Sequence, residues 1–160
     1  PAVAGAVEAY FSAFYDNCRL IPGTTETLGI LKGRYRIGLL SNFTHAPAAR
    51  EILDRVGLTP LFDAILISGE LGYRKPHPLV FDTLVERMGV DRERILFVGD
   101  DPEPDIQGAS RAGLQPVWIS YVMDRDLPSA AGILGRGTEI PGDSVPRISQ
   151  WKDLLALLGI

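Results

Sequence analysis

A chain of 160 residues that is 46% hydrophobic and 22% charged has the composition of one globular domain, long enough to bury roughly 70% of its unfolded surface. A formal net charge of −4 and a pI near 5.1 argue against nucleic acid as the main partner, and no apolar run approaches the roughly 20 residues of a membrane span. The single cysteine, Cys18, excludes an intramolecular disulfide and, with no basic-then-apolar leader, makes a soluble cytoplasmic protein the expectation.

Residues 2–17 read as a helix with Val3, Val7, Tyr10, Phe11 and Phe14 on one side, an aromatic face that has to pack on something. Ile21-Pro22-Gly23 breaks the pattern, and Thr24 or Thr25 can cap a second helix running to about Lys32. Residues 35–40 are the first clear strand, ending at Ser41-Asn42. A helix over 47–56 stops at Gly57, which suits the left-handed position after a helix. A second strand covers 62–67 and a loop 68–77. Pro78 opens a helix that ends at Gly89.

The stretch ILFVGDDPEPDIQGASRAG follows. Residues 95–98 form a strand buried on both faces, and a helix leads from the proline-stiffened turn to Gly113. Residues 116–120 make a fourth strand. Residues 123–146 read as mostly loop, 145–149 as a short edge strand, and 150–158 as a closing helix with Trp151, Leu154, Leu155 and Leu158 on one face. The alternation of strands and helices predicts an α/β fold, a parallel sheet with helices on both sides.

Three strand ends carry chemistry. Ser41-Asn42 closes the first. Lys75 lies beyond the second, held toward an extended backbone by Pro76 and just ahead of the helix that Pro78 begins. Asp100, Asp101 and Asp105 crowd the turn after the third, at the edge where open α/β sheets bind ligands. Clustered carboxylates repel unless a cation intervenes, and hard oxygen ligands suit Mg²⁺. A compact ammonium at Lys75 suits an anion such as a phosphoryl group or a carboxylate nucleophile. Taken singly, each residue has a plainer explanation: an exposed loop lysine, a hydroxyl ending a strand, a solvated acidic turn. The three in this order outweigh those explanations. His45 and His77 read as local loop or cap residues, with no third ligand for a zinc site.

These segments resemble the haloacid dehalogenase superfamily, in the branch of hydrolases with a helical cap inserted after the first strand. IGLLSNFTH resembles that family's second motif, GELGYRKPHPLVF its third and VGDDPEPDIQGASRAG its fourth. The resemblance covers roughly residues 10–121. It implies a Rossmann-like three-layer core, with Ser41 and Asn42 at the substrate's phosphate and Lys75 as a catalytic residue. Mg²⁺ would be held by Asp100, with Asp105 or Asp101 assisting. Asp101 stands where many members have a small polar residue.

The first motif of the family, a strand ending in Asp-x-Asp that supplies the nucleophile, has no counterpart upstream of Ser41. Residues 1–20 then match a remnant of the helical cap, and 21–160 the core without its first strand, about two-thirds of an enzyme. The implied function is a Mg²⁺-dependent phosphatase for a small phosphorylated metabolite, working through an aspartyl-phosphate intermediate whose aspartate this chain does not carry. Alternatives are a 2-haloacid dehalogenase-like hydrolase, which in this family works without metal, and a non-catalytic module that binds a ligand or partner. A phospho-receiver domain carries its acidic pair early and its lysine late, the reverse of the order here. A missing N-terminal segment or a partner strand is expected to fill the sheet.

Overall fold

In the computed structural model, which describes residues 2–127 and 140–160, the short apolar runs pair as parallel strands in two groups. β1 (Gly38–Ser41) pairs with β2 (Ala64–Ile67), setting Leu40 opposite Leu66. β3 (Leu96–Gly99) pairs with β4 (Gln115–Ile119), setting Val98 opposite Val117. β4 also pairs with β5 (Arg147–Ile148) through Ile119 and Ile148.

Because side chains alternate along a strand, each sheet has two apolar faces to cover. On one, Leu40, Leu66 and Phe97 pack with Val80, Phe81, Leu84 and Met88 of α5 (Pro78–Met88), and with Ala109 of α6 (Gly108–Arg111). On the other, Leu96, Val98, Val117, Ile119 and Ile148 meet Leu31 of α2 (Thr24–Lys32) and Leu154 of α8 (Trp151–Leu157). Ile65 and Ile67 meet Ala46 and Ala49 of α3 (Ala46–Arg55) there as well. This is the three-layer α/β arrangement expected from the alternation.

Element edges differ from the sequence reading for local reasons. β1 starts at Gly38 rather than at residue 35: the Tyr35 N–H is used at the end of α2, bonding the Leu31 carbonyl at 2.8 Å, and the Ile37 N–H goes to the Asp63 carboxylate at 2.7 Å. The residue ahead of α2 is Gly23 at φ 83°, while Thr24 is already helical and donates its hydroxyl to the Ile21 carbonyl at 2.6 Å. The 68–77 loop begins with a single helical turn, α4 (Ser68–Leu71). Both histidines are helix caps: the Nδ1 atoms of His45 and His77 each accept a backbone N–H at 3.3 Å, from Ala48 and Leu79.

The helix after the acidic turn is not regular throughout. Pro102–Gln107 forms a π-helical turn in which the N–H groups of Asp105 and Ile106 both point to the Asp101 carbonyl, at 3.0 and 3.3 Å. Pro102 and Pro104 have no N–H to start an ordinary ladder. Within the 123–146 stretch, α7 (Tyr121–Asp124) supplies one turn, and residues 128–139 lie outside the described residues.

At the amino end, α1 (Ala2–Tyr15) lays Phe11 flat on the His45 ring, centroids 4.5 Å apart, and Tyr15 beneath the Arg55 guanidinium. The aromatic face is covered only in part, since Tyr10 is 61% exposed. The side chain of Val3 lies outside the described residues. No described helix is long and apolar enough to cross a membrane.

β1 bonds to β2 on one side and β3 to β4 on one side, and among the described residues neither pairs on its other edge. Leu40 and Phe97 nevertheless belong to one core. The ladder is therefore interrupted between β1 and β3, a slot in backbone pairing within a single layered body.

Candidate active site at the strand ends

Lys75 joins the two sheets at their carboxyl ends. Its ammonium donates to the Leu40 carbonyl of β1 at 3.0 Å. It also lies 2.6 Å from Asp105 Oδ1, in the turn that follows β3, a contact held by charge rather than by a well-aligned hydrogen bond. Both side chains are buried, 10% and 6% exposed. The Phe97 ring lies 5.7 Å from Nζ, close enough for a weak cation–π attraction.

Asp105 is committed at both oxygens. While Oδ1 faces the ammonium, Oδ2 accepts the backbone N–H groups of Asp100 and Asp101, each at 3.1 Å. The Trp118 indole N–H donates to the Asp100 carbonyl at 3.1 Å, so the backbone of Asp100 is gripped from both sides. Room for this arrangement comes from Gly99: a Cβ there would overlap Asp105, standing 2.5 Å from its Cγ and 2.6 Å from Oδ2. Gly99→Ala is therefore expected to push Asp105 off Lys75, costing about 1–3 kcal/mol in urea unfolding, whereas an ordinary strand glycine would gain from Ala. A neutral or stabilising result would rule out this packing.

The acidic turn is electrostatically uncomfortable. Burial, then the Asp105 charge, pushes the Asp100 carboxyl above the usual carboxylate range, with Lys75 only partly offsetting them. Asp101 is raised for the same leading reasons, burial and then Asp105, with Asp100 adding to them. Among the described residues no three His, Cys, Asp or Glu side chains converge as a metal-binding group. Asp100 and Asp101 fit part of a hard-cation site, because an oxygen donor held in a negative field gains from a cation. Asp105 faces Lys75 and accepts the two backbone N–H groups of the turn.

Ser41 ends β1, half-buried, and Asn42 follows it. The Asn42 carboxamide faces Lys75 rather than open space. Its Nδ2 donates to the Lys75 carbonyl at 2.9 Å, and its Oδ1 accepts the Lys75 N–H at 2.8 Å. Of the residues singled out from sequence, Lys75, Asp105, Asn42 and the Asp100–Asp101 turn are thus one connected set. Trp118 and Gly99 were missed as parts of the site. The parallel register sets Trp118 opposite Gly99, and nothing in the sequence reports that register or where the indole N–H ends. An open cleft of about 290 Å³ between Ile106, Ser110, Pro141 and Val145 takes in none of these groups.

The family model for haloacid dehalogenase-like hydrolases matches residues 2–113. The chain belongs to that family. Among curated haloacid dehalogenase-like relatives, the pyrimidine 5'-nucleotidase YjjG of Escherichia coli is 38% identical over 71% of this chain and 50% of its own length. The phosphoserine phosphatase of Thermus thermophilus is 35% identical over 74% of this chain and 49% of its own. The chain spans about half the length of the curated relatives it matches. Among solved family structures, the putative hydrolase YfnB from Bacillus subtilis, bound to magnesium, superposes with a TM-score of 0.73 at 26% identity, over 89% of this chain and 57% of that one. A 2-haloacid dehalogenase from Pseudomonas syringae gives 0.68 at 26% identity, over 88% of this chain and 54% of that one.

Proposed function

We propose that the full-length protein is a Mg²⁺-dependent phosphatase for a small phosphorylated metabolite, working through an aspartyl-phosphate intermediate. The observation that carries this reading is the Lys75 ammonium, buried and shared between the Leu40 carbonyl and Asp105 across the slot, beside the strained carboxyl of Asp100. The nucleophilic aspartate would come from a segment outside these 160 residues that adds a strand between β1 and β3. α1 would be the last helix of a cap returning to the core.

In this reading the outside aspartate attacks phosphorus, the ester P–O bond breaks, and water then cleaves the acyl phosphate to release inorganic phosphate. Lys75 offsets the negative charge of nucleophile and phosphoryl group in a site where burial magnifies its effect. The Ser41 hydroxyl and the backbone that follows it hold phosphoryl oxygens. Asp100, with Asp101 nearby, would hold Mg²⁺, whose charge screens the phosphoryl oxygens. The phosphatase and nucleotidase names of relatives at 35–38% identity support phosphate chemistry. A purely binding module would have no need of a buried lysine shared between two strand ends.

The test is hydrolysis of an aryl phosphate by the full-length protein, expected with Mg²⁺ and abolished by EDTA. Asp100→Asn is expected to raise the Mg²⁺ requirement at least about tenfold, a loss that weakened supporting partners alone can cause, and Asp101→Asn far less. The ionised carboxylate is the ligand and its pKa is raised. Mg²⁺ activation should therefore fade as pH falls, beginning at a higher pH than for an ordinary aspartate, and Asp100→Asn should flatten that dependence. Equal effects of the two substitutions would mean that the ligand is misassigned.

A further inference from the structure

We propose that Asn42 is a positioning residue that sets the Lys75 ammonium, and not a ligand for the substrate's phosphoryl group; its effect on turnover rests on the phosphatase reading above. A carboxamide is a copy of a peptide group, with one acceptor oxygen and an N–H donor side by side. Asn42 uses both against the backbone of Lys75, at 2.8 and 2.9 Å, as a neighbouring strand would. The 72–77 segment that carries Lys75 lies in no strand or helix, so this two-point grip ties the Lys75 backbone to the end of β1.

The same strand end holds the far tip of the lysine. The Leu40 carbonyl, two residues before Asn42, accepts from Nζ at 3.0 Å. The lysine is thus pinned at its backbone by a side chain and at its ammonium by a backbone carbonyl. Its charged contact, Asp105 Oδ1 at 2.6 Å, comes from the turn after β3. A lysine side chain has four rotatable bonds to lose. Anchoring its Cα shortens the search and keeps the charge where a phosphoryl group would be attacked. Asp at position 42 would set an oxygen against the Lys75 carbonyl, and Ala would release both bonds.

The experiment compares Asn42→Ala and Asn42→Asp with the unaltered full-length protein. Steady-state kinetics on an aryl phosphate should show kcat reduced by about 10²-fold, the size of loss that a misplaced charge near the reacting centre causes. KM and inhibition by inorganic phosphate should stay within about twofold. A phosphate ligand would give the opposite split, with KM and the phosphate inhibition constant rising while kcat holds. Independently of any turnover, amide hydrogen exchange should quicken at Lys75 in both variants, with the β1 and β2 amides unchanged. Protection at Lys75 that survives Asn42→Ala would overturn the proposal, as would the opposite kinetic split. If the unaltered protein hydrolyses no phosphate ester, the phosphatase reading fails, and the exchange measurement still decides whether Asn42 holds Lys75.

Discussion

Lys75→Met in the full-length protein is expected to cost about 3–5 kcal/mol, the usual penalty for removing one partner of a buried ion pair. The methionine fills similar space, so the loss is electrostatic rather than a cavity. Asp105 would keep its two backbone N–H groups at Oδ2 but leave Oδ1 buried with no cation beside it, in a turn that already carries Asp100 and Asp101. Adding Asp105→Asn removes the stranded charge while keeping an acceptor for those N–H groups. The double substitution should therefore cost less than the sum of the two singles, with a coupling of about 1–3 kcal/mol. Urea midpoints of the four proteins measure this directly. A cost below about 1 kcal/mol for Lys75→Met, against that range, or strict additivity, would show that the pair is solvated and replaceable. Aryl phosphate hydrolysis by Lys75→Met should fall to background even where the protein remains folded.

The second large effect concerns the slot. Purified alone, the 160-residue chain is expected either to self-associate or to retain a second polypeptide between β1 and β3. Each strand offers backbone N–H and C=O groups on its free edge. Such groups cost about 1–3 kcal/mol apiece when buried without a partner, against about 5–15 kcal/mol for the stability of a whole domain. A few of them would take up most of that margin, and open edges recruit other strands. Light scattering, together with masses measured under native and denaturing conditions, separates self-association from a bound fragment. A lone 17.4 kDa species that unfolds cooperatively and protects its β1 and β3 edge amides would sink this expectation.

Much of the candidate site was legible in the sequence because its residues sit at strand ends, where sequence punctuation is strong. Pro76 and Pro78 bracket Lys75, Gly99 closes an apolar run, and the carboxylates follow at once. Those signals are local, so chain order alone brings Lys75 and Asp105 to one edge of a parallel sheet. The contacts of Asp105 were less legible. The resemblance made Asp100 the holder of a cation with Asp105 or Asp101 assisting, but nothing in the sequence showed that Asp105 would also face Lys75 and accept two backbone N–H groups. The π-helical turn makes this possible by directing the N–H groups of Asp105 and Ile106 to the one Asp101 carbonyl. No periodicity in the sequence announces such a turn.

What the sequence determined by itself was the set of contacts carried by period and by capping. Apolar alternation sorted Leu40, Leu66 and Phe97 onto one face of the sheet and Leu96, Val98 and Val117 onto the other. Gly57 and Gly89 ended their helices at φ 72° and 60° because a residue without a Cβ takes that conformation cheaply. Only the tertiary structure decided which partner each polar group would take: Asn42 with the backbone of Lys75, 33 positions away, and the Trp118 indole with the Asp100 carbonyl, 18 positions away. Such pairings depend on angles and distances of a few tenths of an ångström between segments far apart in the chain. They exist only once the hydrophobic layers have brought those segments together.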